Sequence, residues 1–131
     1  MGTPDVRLVA PTGMAPDPDL YPGATLTDDL ARGLDGADVI MALRIQRERL
    51  PNEGSQISAA DYHAKYGINA RRLERAEPDA IVMHPGPMNR DVEIAGDIAD
   101  GPHSVIVDQV TNGLAMRMAV LTMVMESRRD R

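Results

Sequence analysis

The sequence predicts an α/β fold: a small open parallel sheet with helical crossovers, followed by a C-terminal helix. Short apolar runs at 6–10, 37–43 and 81–83 alternate with segments that carry helix-start signals. Such alternation implies parallel strands joined by crossover helices. Val110, Leu114, Met118, Leu121 and Met125 then recur at spacings of three and four, which makes one apolar helical stripe. Hydrophobic residues are 43% of 131, enough for one modest domain with a core.

The first strand, 6–10, stops at Pro11. Residues 11–23 hold four prolines and two glycines and read as loop. Thr27 can cap a short helix, with Asp28 and Asp29 suited to the positive end of its dipole, and Gly33 and Gly36 end it. The run 37–43 is mostly apolar and reads as a strand covered on both faces. The stretch 44–56 is too charged for core. Ser58 and Asp61 have capping-box form and open a helix to Tyr66, closed by Gly67. Asn69 can cap a helix over 70–76, which Pro78 stops. Ile81 to Met83 is the third strand. After a turn at Gly101-Pro102, Asp108 can cap a last helix over 109–125. Three short strands leave both sheet edges open and bury little, so the sheet expects neighbours.

Composition excludes several functions. There is no Phe or Trp and only three Tyr, against nine Met, so aliphatic residues and Met must fill the interior. Few aromatics leave no stacking platform for bases, and a net charge of −6 argues against a nucleic-acid partner. The absence of Cys excludes disulfides, thiolate catalysis and Cys-based zinc sites. No apolar run reaches bilayer length and residues 1–5 lack signal-peptide form, so no membrane partner and a cytoplasmic location are expected. No metal-ligand cluster, nucleotide fingerprint or serine-hydrolase elbow is present, and no cofactor is expected.

The most informative stretch is His84-Pro85-Gly86-Pro87-Met88-Asn89-Arg90, a stiff loop directly after a strand. Proline removes backbone donors and glycine allows close approach, so a small polar ligand can meet free carbonyls there. In an open parallel sheet, ligands sit outside the carboxyl ends of the strands. Arg44 and Gln46 stand at such an end and alternate onto one side of an extended segment. Arg is a natural fork for a carboxylate. Glu48, at the same spacing, can hold Arg44. From pattern alone, the run 44–49 reads first as a solvated charge face with surface ion pairs. His84 is either an acid/base or orienting group, or a histidine packed at a strand end. Asp108, Gln109 and Asn112 are candidate polar contacts at a helix start, with capping the preferred role for Asp108.

Three segments together change this balance. Residues 41–49, the loop 84–90 with Glu93 and Ile94 behind it, and Asp108-Gln109-Val110-Thr111-Asn112-Gly113 with 114–119 resemble the aspartate carbamoyltransferase catalytic chain. The resemblance runs from about Val6 to Val124. It implies an incomplete aspartate/ornithine carbamoyltransferase-like domain. Residues 1–108 would be a partial aspartate-binding domain, and 109–131 a helix that packs in the family on a carbamoyl-phosphate domain. It implies that Arg44 and Gln46 bind L-aspartate, that Glu48 orients Arg44, and that Pro85, Gly86 and Pro87 offer carbonyls to the carbamoyl group of carbamoyl phosphate. No side chain is assigned as catalytic. The implied reaction is attack of the aspartate amine on carbamoyl phosphate, giving N-carbamoyl-L-aspartate and phosphate, in de novo pyrimidine (UMP) synthesis without metal or cofactor.

Ornithine carbamoyltransferases carry a cysteine after the loop histidine, where this chain has Pro85, and their Ser-Met-Gly signature is missing, so aspartate is the implied second substrate. The family's Ser-x-Arg-Thr phosphate loop, its His-Pro-x-Gln segment, its lysine loop and the first strand of the aspartate domain are also missing. Activity of the chain alone is therefore not expected. A homotrimer is implied, with a regulatory chain or dihydroorotase as possible partners. The alternatives are a non-catalytic aspartate-binding or assembly subunit, or a fragment of a related amino-acid carbamoyltransferase.

Overall fold

The computed structural model describes residues 4–45 and 57–129. Its order is β1 (Arg7–Val9), β2 (Thr25–Thr27), α1 (Leu30–Leu34), β3 (Val39–Met41), α2 (Ala59–Tyr66), α3 (Ala70–Leu73), β4 (Ile81–Met83), α4 (Gly96–Ala99) and α5 (Ile106–Arg129). The α/β class and the parallel pairing are as the sequence predicts. The sheet itself differs. β1 pairs with β2 (Arg7↔Thr25 to Val9↔Thr27) and β3 with β4 (Val39↔Ile81 to Met41↔Met83), giving two two-stranded sheets rather than one of three strands. β2 escapes sequence reading because three residues after a Pro/Gly-rich segment show no periodicity. Between the sheets lies a cavity of about 540 Å³, lined by β1 on one side and β3 on the other.

Local chemistry sets the helix ends. Asp29, not Thr27, caps α1: its Oδ1 accepts from Ala31 N at 2.9 Å and Arg32 N at 3.3 Å. Thr27 is instead spent on β2, with its hydroxyl accepting from Asp29 N. Gly33 lies inside α1 rather than ending it. A Cβ there would run into Val9 Cγ2, so α1 and β1 approach as closely as they do only over glycine. Ser58 caps α2 through the Asp61 amide (3.0 Å), and Asn69 caps α3 through the Arg72 amide (3.1 Å). α3 stops at Leu73, short of the expected 76. Arg72 turns back over the end of α2 and donates to Gly67 O and Ala64 O, both at 2.6 Å, satisfying carbonyls that a helix end leaves open.

The core gathers Leu34, Ile40, Ile68, Val82, Ile94 and Ile98 between the β3–β4 sheet and its helices. Among the described residues it contains no Met, against expectation; Met88 only packs on its edge. β3 is covered on one face, not two. Ile40 is buried, while Val39 and Met41 are 53% and 51% exposed.

α5 begins at Ile106, so Asp108 sits in its first turn instead of capping it. Ile106 is buried, and the helix packs on β4 at that end. Beyond it the predicted stripe is exposed, and so are Met116, Val120, Met123 and Val124 from the rest of its circumference. A helix that is apolar all round belongs in an interior. The accessible surface, 9596 Å², stands well above the roughly 6,800 Å² expected of a compact monomer of this mass. None of the described helices is long and apolar enough to cross a membrane.

Candidate functional site

β3 and β4 run side by side in register, and Ala42 N donates to Met83 O at 3.0 Å just past the last pair. The segments leaving the two strands therefore emerge at one sheet edge. Arg44 leaves β3 there, exposed, and is among the residues that line the inter-sheet cavity. The loop from His84 leaves β4 at the same edge. Pro85, Gly86 and Pro87 are exposed, and among the described residues their carbonyls accept no hydrogen bond. Gly86 has φ of +67°, open to glycine at little cost, and the Gly86–Pro87 bond is cis. The loop does not line the cavity, whose walls are mainly the facing strands, so the cavity and the loop are two separate features.

Behind the loop lies a buried polar cluster. His84 is fully buried and Glu93 is 2% exposed. Gly86 N donates to His84 Nδ1 at 2.9 Å. Nδ1 must therefore be an acceptor, the proton sits on Nε2, and Nε2–H donates to Glu93 Oε1 at 3.2 Å. The same Oε1 accepts from Asn89 N at 2.5 Å. His84 N donates to Gln109 Oε1 at 2.9 Å, tying the loop's start to α5. The far end is held at the surface, where Arg90 makes a two-bonded bridge to Asp100 at 2.7 and 2.9 Å. That hydrogen bond holds the Asp100 carboxyl below its ordinary range and raises Arg90.

Two buried side-chain polar atoms among the described residues, Glu93 Oε2 and Tyr66 Oη, have no hydrogen-bond partner. Both residues line the cavity beside Tyr62. Burial, then the charge of Glu93, then Tyr66, push the Tyr62 hydroxyl above its usual value. No group of three or more His, Cys, Asp or Glu converges among the described residues in a way that could hold a metal.

Of the predicted site residues, the structure brings Arg44 and Pro85, Gly86 and Pro87 to one edge. Gln46 and Glu48 fall outside the described residues. His84 is fully buried at the end of β4, as the packed reading expects. Gln109, a candidate polar contact, accepts from the backbone N–H of His84 at the start of the loop. Nothing in the sequence singles out Glu93, because a lone Glu nine residues past His84 carries no spacing signal.

This geometry can be set beside known proteins. The model of the aspartate/ornithine carbamoyltransferase Asp/Orn-binding domain matches residues 1–124. The chain belongs to this family. It is 49% identical over 121 residues to the aspartate carbamoyltransferase catalytic subunit of Xylella fastidiosa, covering 92% of this chain and 38% of that one. The subunit of the same name from Xanthomonas campestris is 47% identical over the same shares. The chain thus spans well under half the length of these relatives. Among solved structures, ornithine carbamoyltransferase from Thermus thermophilus aligns with TM-score 0.73 and 26% identity over 89% of this chain and 38% of that one. Aspartate transcarbamoylase from Trypanosoma cruzi, in complex with carbamoyl phosphate and aspartate, aligns with TM-score 0.72 and 29% identity over 88% of this carbamoyltransferase-family chain and 40% of the other.

Proposed function

We propose that this chain is the aspartate-binding portion of an aspartate carbamoyltransferase catalytic chain. One observation carries the reading: Arg44 and the exposed loop Pro85-Gly86-Pro87 leave neighbouring parallel strands at one edge. Arg44, with Gln46, binds a carboxylate of L-aspartate, and Glu48 orients Arg44. The loop carbonyls receive the carbamoyl group and the attacking amine. The amine attacks the carbamoyl carbon of carbamoyl phosphate, phosphate leaves with the C–O bond electrons and takes up the proton that the amine gives up, and N-carbamoyl-L-aspartate forms. Catalysis is positioning and electrostatic stabilisation. The step serves pyrimidine synthesis in the cytoplasm. Pro85 in the place of the ornithine family's cysteine supports aspartate over ornithine, as do relatives nearly half identical and named for aspartate.

In the same reading, α5 packs on a carbamoyl-phosphate domain outside these 131 residues. The apolar surface around α5 supports this reading. The working assembly is a homotrimer, to which a regulatory chain or dihydroorotase can attach.

Calorimetry tests the reading with three ligands: L-aspartate, an ornithine analogue, and a bisubstrate analogue bearing a phosphonate and two carboxylates. Each is titrated into the chain alone and into the chain co-expressed with a carbamoyl-phosphate domain. The expected result is weak dicarboxylate binding alone, and tight bisubstrate binding with product formation in the mixture. Preference for the ornithine analogue, or no dicarboxylate binding in either preparation, overturns it.

A further inference from the structure

The Glu93–His84 cluster does more than fill the interior. Burying a carboxylate is costly unless its bonds are worth keeping. Among the described residues, both hydrogen bonds that the Glu93 carboxylate accepts come from the segment 84–90: His84 Nε2–H and Asn89 N. The imidazole then passes the constraint on. With its proton held at Nε2, Nδ1 is left as the acceptor for Gly86 N. In the other tautomer, Nδ1–H would face the Gly86 N–H, two donors with nothing between them.

We propose that Glu93 and His84 are positioning residues for the loop. Glu93 selects the imidazole tautomer, and the imidazole pins the Gly86 amide, so the carbonyls of Pro85, Gly86 and Pro87 stay unbonded at the exposed end of the loop. The part of this inference that concerns substrate rests on the carbamoyltransferase reading. The part that concerns the loop does not.

The test therefore has two arms. In the first, nitrogen-15 spectra of the histidine rings report the His84 tautomer in the 131-residue chain, and amide exchange reports the Gly86 N–H. Native protein is expected to show Nε2–H. Glu93→Ala mixes the tautomers and speeds Gly86 exchange on the order of tenfold. Glu93→Gln keeps an acceptor oxygen and preserves both signals, which separates the effect from loss of folding. A native Nδ1–H tautomer overturns the proposal, as does Glu93→Ala leaving tautomer and exchange unchanged.

In the second arm, carbamoyl transfer is assayed in the preparation containing the carbamoyl-phosphate domain. His84→Gln, which keeps a donor near the Nε2 position but no acceptor at Nδ1, lowers kcat on the order of 100-fold with aspartate KM little changed. His84→Asn, with an amide oxygen near the Nδ1 position, restores part of the rate. Equal losses in the two variants overturn the link from loop to rate. If native protein transfers no carbamoyl group, the functional reading fails while the first arm still decides the role of Glu93 and His84.

Discussion

The backbone N–H of His84 donates to the side-chain oxygen of Gln109 across 25 residues of sequence, at 2.9 Å. This bond joins the end of β4 to the first turns of α5, so the loop's entry is fixed by a helix whose remainder lies in the open. Replacing Gln109 by Ala leaves a backbone donor at a buried residue without a partner, at a cost of about 1–3 kcal/mol. Gln109→Glu keeps an acceptor and is expected to lose less. Urea midpoints of the two variants check this, and equal losses would contradict it.

Arg44 supplies the second prediction, which depends on the proposed aspartate site. A guanidinium holds a carboxylate by two parallel bonds, and an ammonium cannot reproduce that fork. Arg44→Ala is expected to weaken aspartate binding roughly 10- to 100-fold while binding of inorganic phosphate stays unchanged. Arg44→Lys should recover little of the loss. Titration calorimetry with each ligand in the preparation containing the carbamoyl-phosphate domain reads the split. A parallel loss of phosphate affinity would mean that Arg44 acts on the whole site.

Tyr62 gives a pH prediction. Burial comes first among the causes that raise its hydroxyl, followed by the charge of Glu93. The folded protein therefore holds this proton more tightly than the unfolded chain does. The associated stability is fully present below about pH 10, the ordinary tyrosine value, and is lost as pH rises through the raised value. Absorbance titration at alkaline pH should show Tyr62 ionising after a free tyrosine. Tyr62→Phe should remove that late component, and Glu93→Gln should shift it downward. A single transition at the ordinary value, unchanged in either variant, would refute the assignment.

Much of this architecture can be read from residues that signal locally. Ser58 and Asn69 cap helices because a short polar side chain reaches the amide three residues on. Ile81 to Met83 is a strand because an apolar run ends at a Pro-rich loop. The loop 84–90 and Arg44 are legible for the same reason: their residue types carry meaning at their positions. What escaped depends on distance. β2 exists because Thr25–Thr27 find β1, and three residues hold no pattern of their own. Val39 and Met41 are apolar yet exposed, because what covers a sheet face is not written in the strand. Glu93 matters only once Ile94 is placed in the core and the carboxylate is turned onto His84.

Gly33 shows the same limit and gives the last prediction. In sequence it looks like a helix stop, since glycine is common just past a helix end. In the structure it is inside α1, and a Cβ there would collide with Val9 Cγ2 of β1. On intrinsic propensity alone, Gly33→Ala should stabilise a helix by about 1 kcal/mol. The collision opposes this, because overpacking a close contact costs typically ~1–3 kcal/mol. The net expectation is destabilisation, with α1 displaced from β1. Val9→Ala alone removes a half-buried side chain and destabilises modestly. It also removes the atom that Gly33→Ala would strike, leaving only Val9 Cβ at 3.6 Å, ordinary van der Waals contact. The double variant should therefore be more stable than the sum of the single losses predicts, with a coupling of about 0.5–3 kcal/mol in its favour. Thermal or urea unfolding of the four proteins closes the cycle. Additive losses would mean that α1 shifts freely and that the glycine is not required by its contact with β1.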